Sequence, residues 1–489
     1  MDQVLFWNDV ALEANRVSFT DPTKAEQGGP TLSSRALAIV HLAMHDAYKG
    51  VVPSATFSKY MNTALPVAPA GASADAAIAG AAYTALVALY PKQKSFFDTK
   101  LNSITRILSG ADSGHRYGRD IAAMILALRA DDPDNSDAGY VPPTGRGFHK
   151  PDPSNPQGFL APFYGAKSKL VSATTRHTLA PPPFIASQIG NTITYAGEYL
   201  LAERQVRVKG IATEQAGALP TPTPGSVARR TIDETLQGIF WAYDGANGIG
   251  TPPRLYNQIV RQVATAQNNT LAQNVRLFAL VNVAMADAGI LAWDQKYIHN
   301  FWRPVVGIRE HDISMGITGV GNNNLDDDCD PFWLPLGAPR TNAVKNDAVE
   351  DKNFTPDFPA YPSGHATFGA AALHITRRFY GITAANRAND NLFANNDFVS
   401  EELNGVNKDS DGNIRPAHLR SFPGGLWQMI LENGFSRVYL GVHWSLDAFR
   451  LSAGVPQLDQ NIGGVDLGLK IANDIFDTGM QESTVPPSM

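Results

Sequence analysis

Cysteine is almost missing from this chain of 489 residues: Cys329 is the only one. No intrachain disulfide can form, so burial of apolar surface has to hold the fold together. Positive charge is also scarce, with 40 Lys and Arg against 46 Asp and Glu and a formal net charge of -6. Binding of nucleic acid needs a strongly basic face, so no such partner is expected, and any local cluster of cations becomes informative. Long apolar runs are lacking too. The opening MDQVLFWNDVALEANRV carries acidic residues and no apolar core of a secretory signal. The longest uncharged helical stretch, Ala76 to Tyr90, is shorter than the ~20 residues a bilayer crossing requires. The expectation is a soluble protein without a membrane span, either cytoplasmic or exported without a cleaved signal. Alternating strand patterns are nearly absent as well.

What remains is alanine- and leucine-rich sequence of period near 3.6, the signature of amphipathic helix. Helices are predicted over Leu5–Val17, Ser34–Tyr48, Ala74–Tyr90, Gln93–Leu108 and Ser113–Arg129, the third and fourth forming a hairpin broken at Pro91. A stretch dense in Pro and Gly, from about Asp132 to Pro183, cannot be regular helix. Further helices are predicted over Ile185–Arg204, Ser226–Tyr243, Leu255–Ala266, Leu271–Lys296, Ser363–Tyr380, Leu426–Val438, Asp447–Gly454 and Leu467–Asp477, with a second irregular segment from Gly307 to Pro362. The predicted fold is all-α: two stacked helical bundles with long irregular loops. Residues 1–215 would form the first bundle and 216–489 the second, with TPTPG near the boundary as a breaker.

Three segments in the second half carry chemistry. WDQKYIHNFWRPVVG holds Lys296, Arg303 and Pro304; FPAYPSGHATFG holds Ser363, Gly364 and His365; SRVYLGVHWSLD holds Ser436, Arg437, His443 and Asp447. The planar guanidinium fork matches the oxygens of a tetrahedral oxyanion, and Lys adds a point charge. Pro-Ser-Gly before an apolar helix reads as a helix start, where free amides and the dipole favour an anion. Together these describe a phosphate-shaped pocket. The two histidines make it reactive: one imidazole can act as nucleophile or axial ligand, the other as acid or base. Asp447, one helical turn from His443, either orients that ring or is a surface charge. Each motif alone is weak. Their joint spacing is not: six residues between Lys296 and Arg303, then Pro-Ser-Gly-His, then five residues between Arg437 and His443 and three before Asp447.

This three-part signature resembles that shared by the vanadium haloperoxidases and the phosphatidic acid phosphatase type 2 superfamily. Outside it, LFWNDVALEANRV, SSRALAIVHLAMHDAY, APFYG, FWAYDGANGIGTPPRLYNQIVRQ, LFALVNVAMADAGI, DPFWLPLGAP, SEELNGVN and GVHWSLDA make the chain similar to the fungal vanadium chloroperoxidases over nearly its whole length. The resemblance implies a vanadate cofactor, held axially by His443 and surrounded by Lys296, Arg303, Ser363, Gly364, His365 and Arg437. His365 would assist deprotonation of incoming hydrogen peroxide. Lys296 would polarise the activated peroxide for attack by a halide, chloride or bromide. Hypohalous acid would leave and halogenate small organic acceptors. Trp293 and Phe358 match the aromatic residues that line the halide side in the chloroperoxidases; algal bromoperoxidases have a histidine in place of the phenylalanine. Asp244 is a candidate partner for Arg437, or else a residue of a helix C-terminal turn.

Several features depart from the fungal pattern. A long C-terminal tail is expected to be missing, and the acidic stretch Asn322 to Asp330 differs. NKDSDGN begins like a calcium loop but has no closing glutamate, which makes it a polar turn. His41 and His45, beside Asp46, have no third ligand in view and are expected to face the core. The competing function is an acid phosphatase acting through a phospho-histidine at His443. A non-catalytic oxyanion-binding protein would not require both histidines together with Lys296.

Overall fold

Helices open where the sequence supplies caps: Asp2, Ser73 and Thr270 each accept the amide three residues on, and Thr270 forms a full capping box with Gln273. The computed structural model describes residues 1–489 except 106–110, 157, 220–222, 224–225, 318, 322, 344–352 and 384–389. In chain order the first elements are α1 (Gln3–Thr20), α2 (Gly29–Val51), α3 (Ala74–Leu89), α4 (Lys94–Thr105), α5 (Ala111–Leu128) and the single turn α6 (Tyr164–Lys167). A hairpin of β1 (Ile185–Ile189) and β2 (Thr192–Tyr195) leads into α7 (Gly197–Lys209), α8 (Ile232–Phe240), α9 (Pro252–Ala266), α10 (Leu271–His299) and α11 (Pro304–Arg309). The chain continues with α12 (Gly364–Phe379), a pair of β3 (Asp397–Val399) and β4 (Leu419–Ser421), and α13 (Gly425–Tyr439). A hairpin of β5 (Arg450–Ser452) and β6 (Val455–Gln457) precedes α14 (Gly463–Thr478). The fold is helical, and each strand pair is short and antiparallel.

Three helix expectations need correction. The predicted helix Ile185–Arg204 starts as a hairpin, because Gly190-Asn191 forms a two-residue turn with Gly190 at φ 58°; helix begins only at Gly197. The predicted helix Asp447–Gly454 is one tight turn, Ser445–Asp447, followed by a hairpin. Ala453 and Gly454 there both have positive φ (49° and 78°), the requirement of a type I′ turn. Before α8, Ser226–Thr231 is not helical, and the helix starts at the capping box of Thr231 and Glu234. The end of predicted Gln93–Leu108 lies outside the described residues. As Pro91 suggested, the chain bends by 116° between Ala74–Leu89 and Pro91–Ile104.

The axis of the molecule is α10. It packs against α2 on one side and α12 and α14 on another, and touches α1 and α9. By length and mean hydropathy (1.7) it could cross a membrane, although it carries charges that Ala76–Tyr90 lacks; 94% of that window is buried inside the molecule. Leu277, Phe278, Val281, Val283, Ile290 and Leu291 are all fully buried, each contributing about 1.5–3 kcal/mol. Next to it, α12 and α14 approach closely because Gly464 and Gly468 lack side chains. A Cβ on either would meet the Ser363 or Thr367 carbonyl oxygen at 2.4–2.5 Å. One continuous apolar cluster runs from Val4 to Met480. His41 and His45 are buried in it, bonded to Leu37 O and Asp46.

Candidate active site

Chain geometry brings two helix C-termini and two helix N-termini to the same place. α10 ends because Asn300 takes the left-handed conformation (φ 48°), with its amide on the Lys296 carbonyl. Lys296 thus lies in the last turn, where the dipole favours a cation. Three residues beyond Asn300, Arg303 caps α11, with Pro304 in its first position. Arg437 occupies the last turn of α13. Facing them is the start of α12, where the Ser363 side chain accepts the Ala366 amide. The amides of Gly364 and His365, in that first turn, fall outside the helix's own ladder. The Ser363 amide donates to the Asp447 carbonyl at 2.8 Å, which ties this helix start to the His443 turn.

Every one of these side chains is buried. His443 Nδ1 lies 2.8 Å from Asp447 Oδ2, and its Nε2 lies 2.9 Å from Arg303 Nη1. A guanidinium only donates, so Nε2 carries the lone pair and Nδ1 the proton. Burial, reinforced by Arg303, Lys296 and Arg437, holds His443 well below the ordinary imidazole range, so the ring is neutral. Asp447 is fully buried, which excludes a surface role; burial pushes it up to about 7 while Lys296 and Arg303 pull the other way. His365 Nε2 donates to the Ala242 carbonyl at 2.6 Å and sits 3.7 Å from Asp244. Nδ1 is therefore its basic nitrogen. Burial and Arg437 lower its pKa to about 3. Asp244 takes Arg437 in a two-point grip, at 2.8 and 3.0 Å. Lys296 directs its ammonium at the carbonyls of Pro359, Ala360 and Pro362, at 2.7, 3.1 and 2.6 Å. It therefore acts as a fixed charge behind Trp293 and Phe358, whose ring centres lie 5.7 and 5.0 Å from Nζ. Burial, then Arg303, depress its pKa far below the usual value; a bound anion reverses that pressure.

A cavity of about 260 Å³ opens onto this cluster, lined by Trp293, Phe358, Gly364, His365, Arg437, His443 and Asp244. The chain matches the vanadium chloroperoxidase N-terminal domain over residues 1–164 and the second helical-bundle domain of that enzyme over 276–480. It is 35% identical to the vanadium chloroperoxidase of Curvularia inaequalis, across 99% of this chain and 91% of that one. The chain belongs to the vanadium haloperoxidase family. Its fold is shared with the crystal structure of a bacterial vanadium-dependent iodoperoxidase (TM-score 0.63, 20% identity, 95% and 96% of the two chains). It is shared also with a holo-type bacterial vanadium-dependent chloroperoxidase (TM-score 0.57, 15% identity, 95% of each).

The cofactor of this haloperoxidase is vanadate, and the buried donors suit it. Arg303 Nη2 and Arg437 Nε are buried N–H groups with no hydrogen-bond partner among the described residues. Burying such a group unpaired costs about 1–3 kcal/mol, and an oxyanion would satisfy both. A Cβ on Gly364 would point at the Trp293 ring and Lys296 Cε, at 3.4 and 3.9 Å, on the wall of the same cavity. Sequence reading missed other lining groups. Phe19, Pro30 and Leu160 from the first half of the chain line the cavity, as do Arg340, Phe354 and Asp357. No spacing signalled them, because loops bring them in from far away. The NKDSDGN segment is a turn in which Asp409 accepts the amides of Asp411 and Asn413.

Proposed function

We propose that this haloperoxidase oxidises chloride, bromide or both with hydrogen peroxide to hypohalous acid, which then halogenates small organic acceptors. The observation that carries the proposal is the pair of buried N–H groups, Arg303 Nη2 and Arg437 Nε, left without a partner among the described residues beside a neutral His443 at a cavity with an aromatic wall. His443 would be the metal ligand, its tautomer fixed by Asp447. Arg303, Arg437, Ser363 and the Gly364 amide would hold the oxygens, and Lys296 would add charge at close range. When bound, vanadate supplies a Lewis-acid centre that makes peroxide electrophilic toward halide. His365, neutral and basic at Nδ1, would take the proton from entering peroxide. Trp293 and Phe358, with ring centres 4.9 Å apart, form an apolar wall that would strip water from a halide. Such a wall supports chloride as a substrate, as does the name of the Curvularia inaequalis relative.

The test uses protein stripped of metal and then given orthovanadate. Peroxide-dependent halogenation of a diketone dye should switch on with bromide and with chloride, and any hydrolysis of a phosphate ester should switch off. Phosphate-ester hydrolysis without halogenation would instead establish His443 as a phosphorylated nucleophile.

A further inference from the structure

The acidic stretch that departs from the fungal pattern folds against His311, two residues past the end of α11. His311 is 1% exposed, and neither ring nitrogen has a hydrogen-bond partner among the described residues. Its Nε2 lies 3.9 Å from Asp326 Oδ2. One ligand atom each of His311, Asp326 and Asp328 falls within 4.8 Å of the others. A gap of 3.9 Å is too long for a hydrogen bond. Two ligands at about 2.0–2.2 Å from one tetrahedral ion stand roughly 3.3–3.6 Å apart, so a closure of a few tenths of an ångström lets both reach a shared ion.

The surroundings keep these groups in place. Asp326 Oδ1 accepts the Asp328 amide at 2.9 Å, and the Asp326 amide donates to Asp312 at 2.8 Å. Asp328 is gripped by Arg204 at 2.8–3.1 Å and touched by Arg207 at 3.4 Å. Carboxylates that bind metals are commonly hydrogen-bonded in this way. Tyr195 and Tyr199 lie along the imidazole, with ring centres at 4.5 and 6.2 Å. Burial lowers the His311 pKa, favouring the neutral form that ligates.

We propose that His311, Asp326 and Asp328 form a second metal site, separate from the vanadate cavity, for a divalent ion of the zinc class. One imidazole with two carboxylates suits zinc better than calcium, which takes six to eight oxygens. The ion would pin the loop after α11 onto α7, and so brace the far end of the helix that Arg303 caps.

The experiment takes full-length, vanadate-loaded protein through chelating resin and then titrates it with zinc chloride. Bound metal is counted by mass spectrometry, and affinity is read by calorimetry. One zinc per chain is expected in addition to vanadium, with binding at least about 10-fold weaker in Asp326→Asn and in His311→Gln. Cobalt in place of zinc should give visible absorption bands that both substitutions remove. Absence of saturable zinc binding would overturn the proposal, as would unchanged affinity in Asp326→Asn, or calcium bound in preference to zinc. Asp326 is half exposed, so its substitution leaves folding intact and decides the matter even if His311→Gln does not fold.

Discussion

Replacing Asp244 by Asn removes one charge from the most crowded part of the site without leaving a hole. Asp244 holds Arg437 by two bonds, and both side chains are buried, with exposures of 6% and 1%. Breaking a buried pair from one side costs about 3–5 kcal/mol, because the surviving charge is left uncompensated. Asn keeps one acceptor, so the lower end applies, about 3 kcal/mol. For a chain of 489 residues the unfolding entropy is of the order of 1 kcal/mol/K, which puts the loss in Tm at about 3 °C. Vanadate should recover much of it. An oxyanion can take over the orphaned guanidinium, so the vanadate-induced rise in Tm should be larger in the variant than in the parent. By linkage, that extra rise is an equal gain in affinity for the anion. Differential scanning fluorimetry with and without orthovanadate reads both quantities. Turnover should fall in the same variant, since Asp244 also sits 3.7 Å from His365. Equal melting of the two proteins without vanadate, or a smaller vanadate shift in the variant, would refute the reasoning.

Other outcomes follow from the same geometry. His443→Ala should abolish retention of vanadate in equilibrium dialysis, because it removes the neutral buried imidazole whose Nε2 meets Arg303 on the cavity wall. Phe358→His should lower the ratio of chloride to bromide turnover by about tenfold, a change of roughly 1.4 kcal/mol, measured with both halides at saturation. His365→Gln should shift acid unfolding, followed by circular dichroism, to lower pH. The folded-state value of about 3 lies below the ordinary 6.5. Between these values the unfolded chain binds the extra proton, so His365 costs stability as the pH falls through that window, and the variant escapes that cost.

The helices were legible because their apolar spacing repeats, and the three motifs because charge and glycine cluster at fixed intervals. Lys296, Arg303, His365, Arg437 and His443 could be named from those intervals alone. Asp447 could not be assigned, since an acid one turn from a histidine faces inward or outward depending on a fold still unknown. Ile185–Arg204 is not legible as a hairpin and a helix because apolar and polar residues there suit either period, and the Gly190-Asn191 turn decides. That Lys296 uses its ammonium on the carbonyls of Pro359, Ala360 and Pro362 was also invisible. It depends on a loop about sixty residues downstream closing over the end of α10.

A motif search would stop at Trp293 and Asp447, but the molecule cannot be divided there. Phe19, Pro30 and Leu160 line the cavity from distant parts of the chain. A fragment holding only the signature residues would keep its cations and imidazoles yet expose them to bulk water. There the attraction of a guanidinium for an oxyanion falls several-fold, and a halide would keep its hydration shell. Phe19 of α1, Pro30 of α2 and the loop at Leu160 therefore contribute wall rather than reacting groups, and a library that shuffles them should change halide use before it changes cofactor binding.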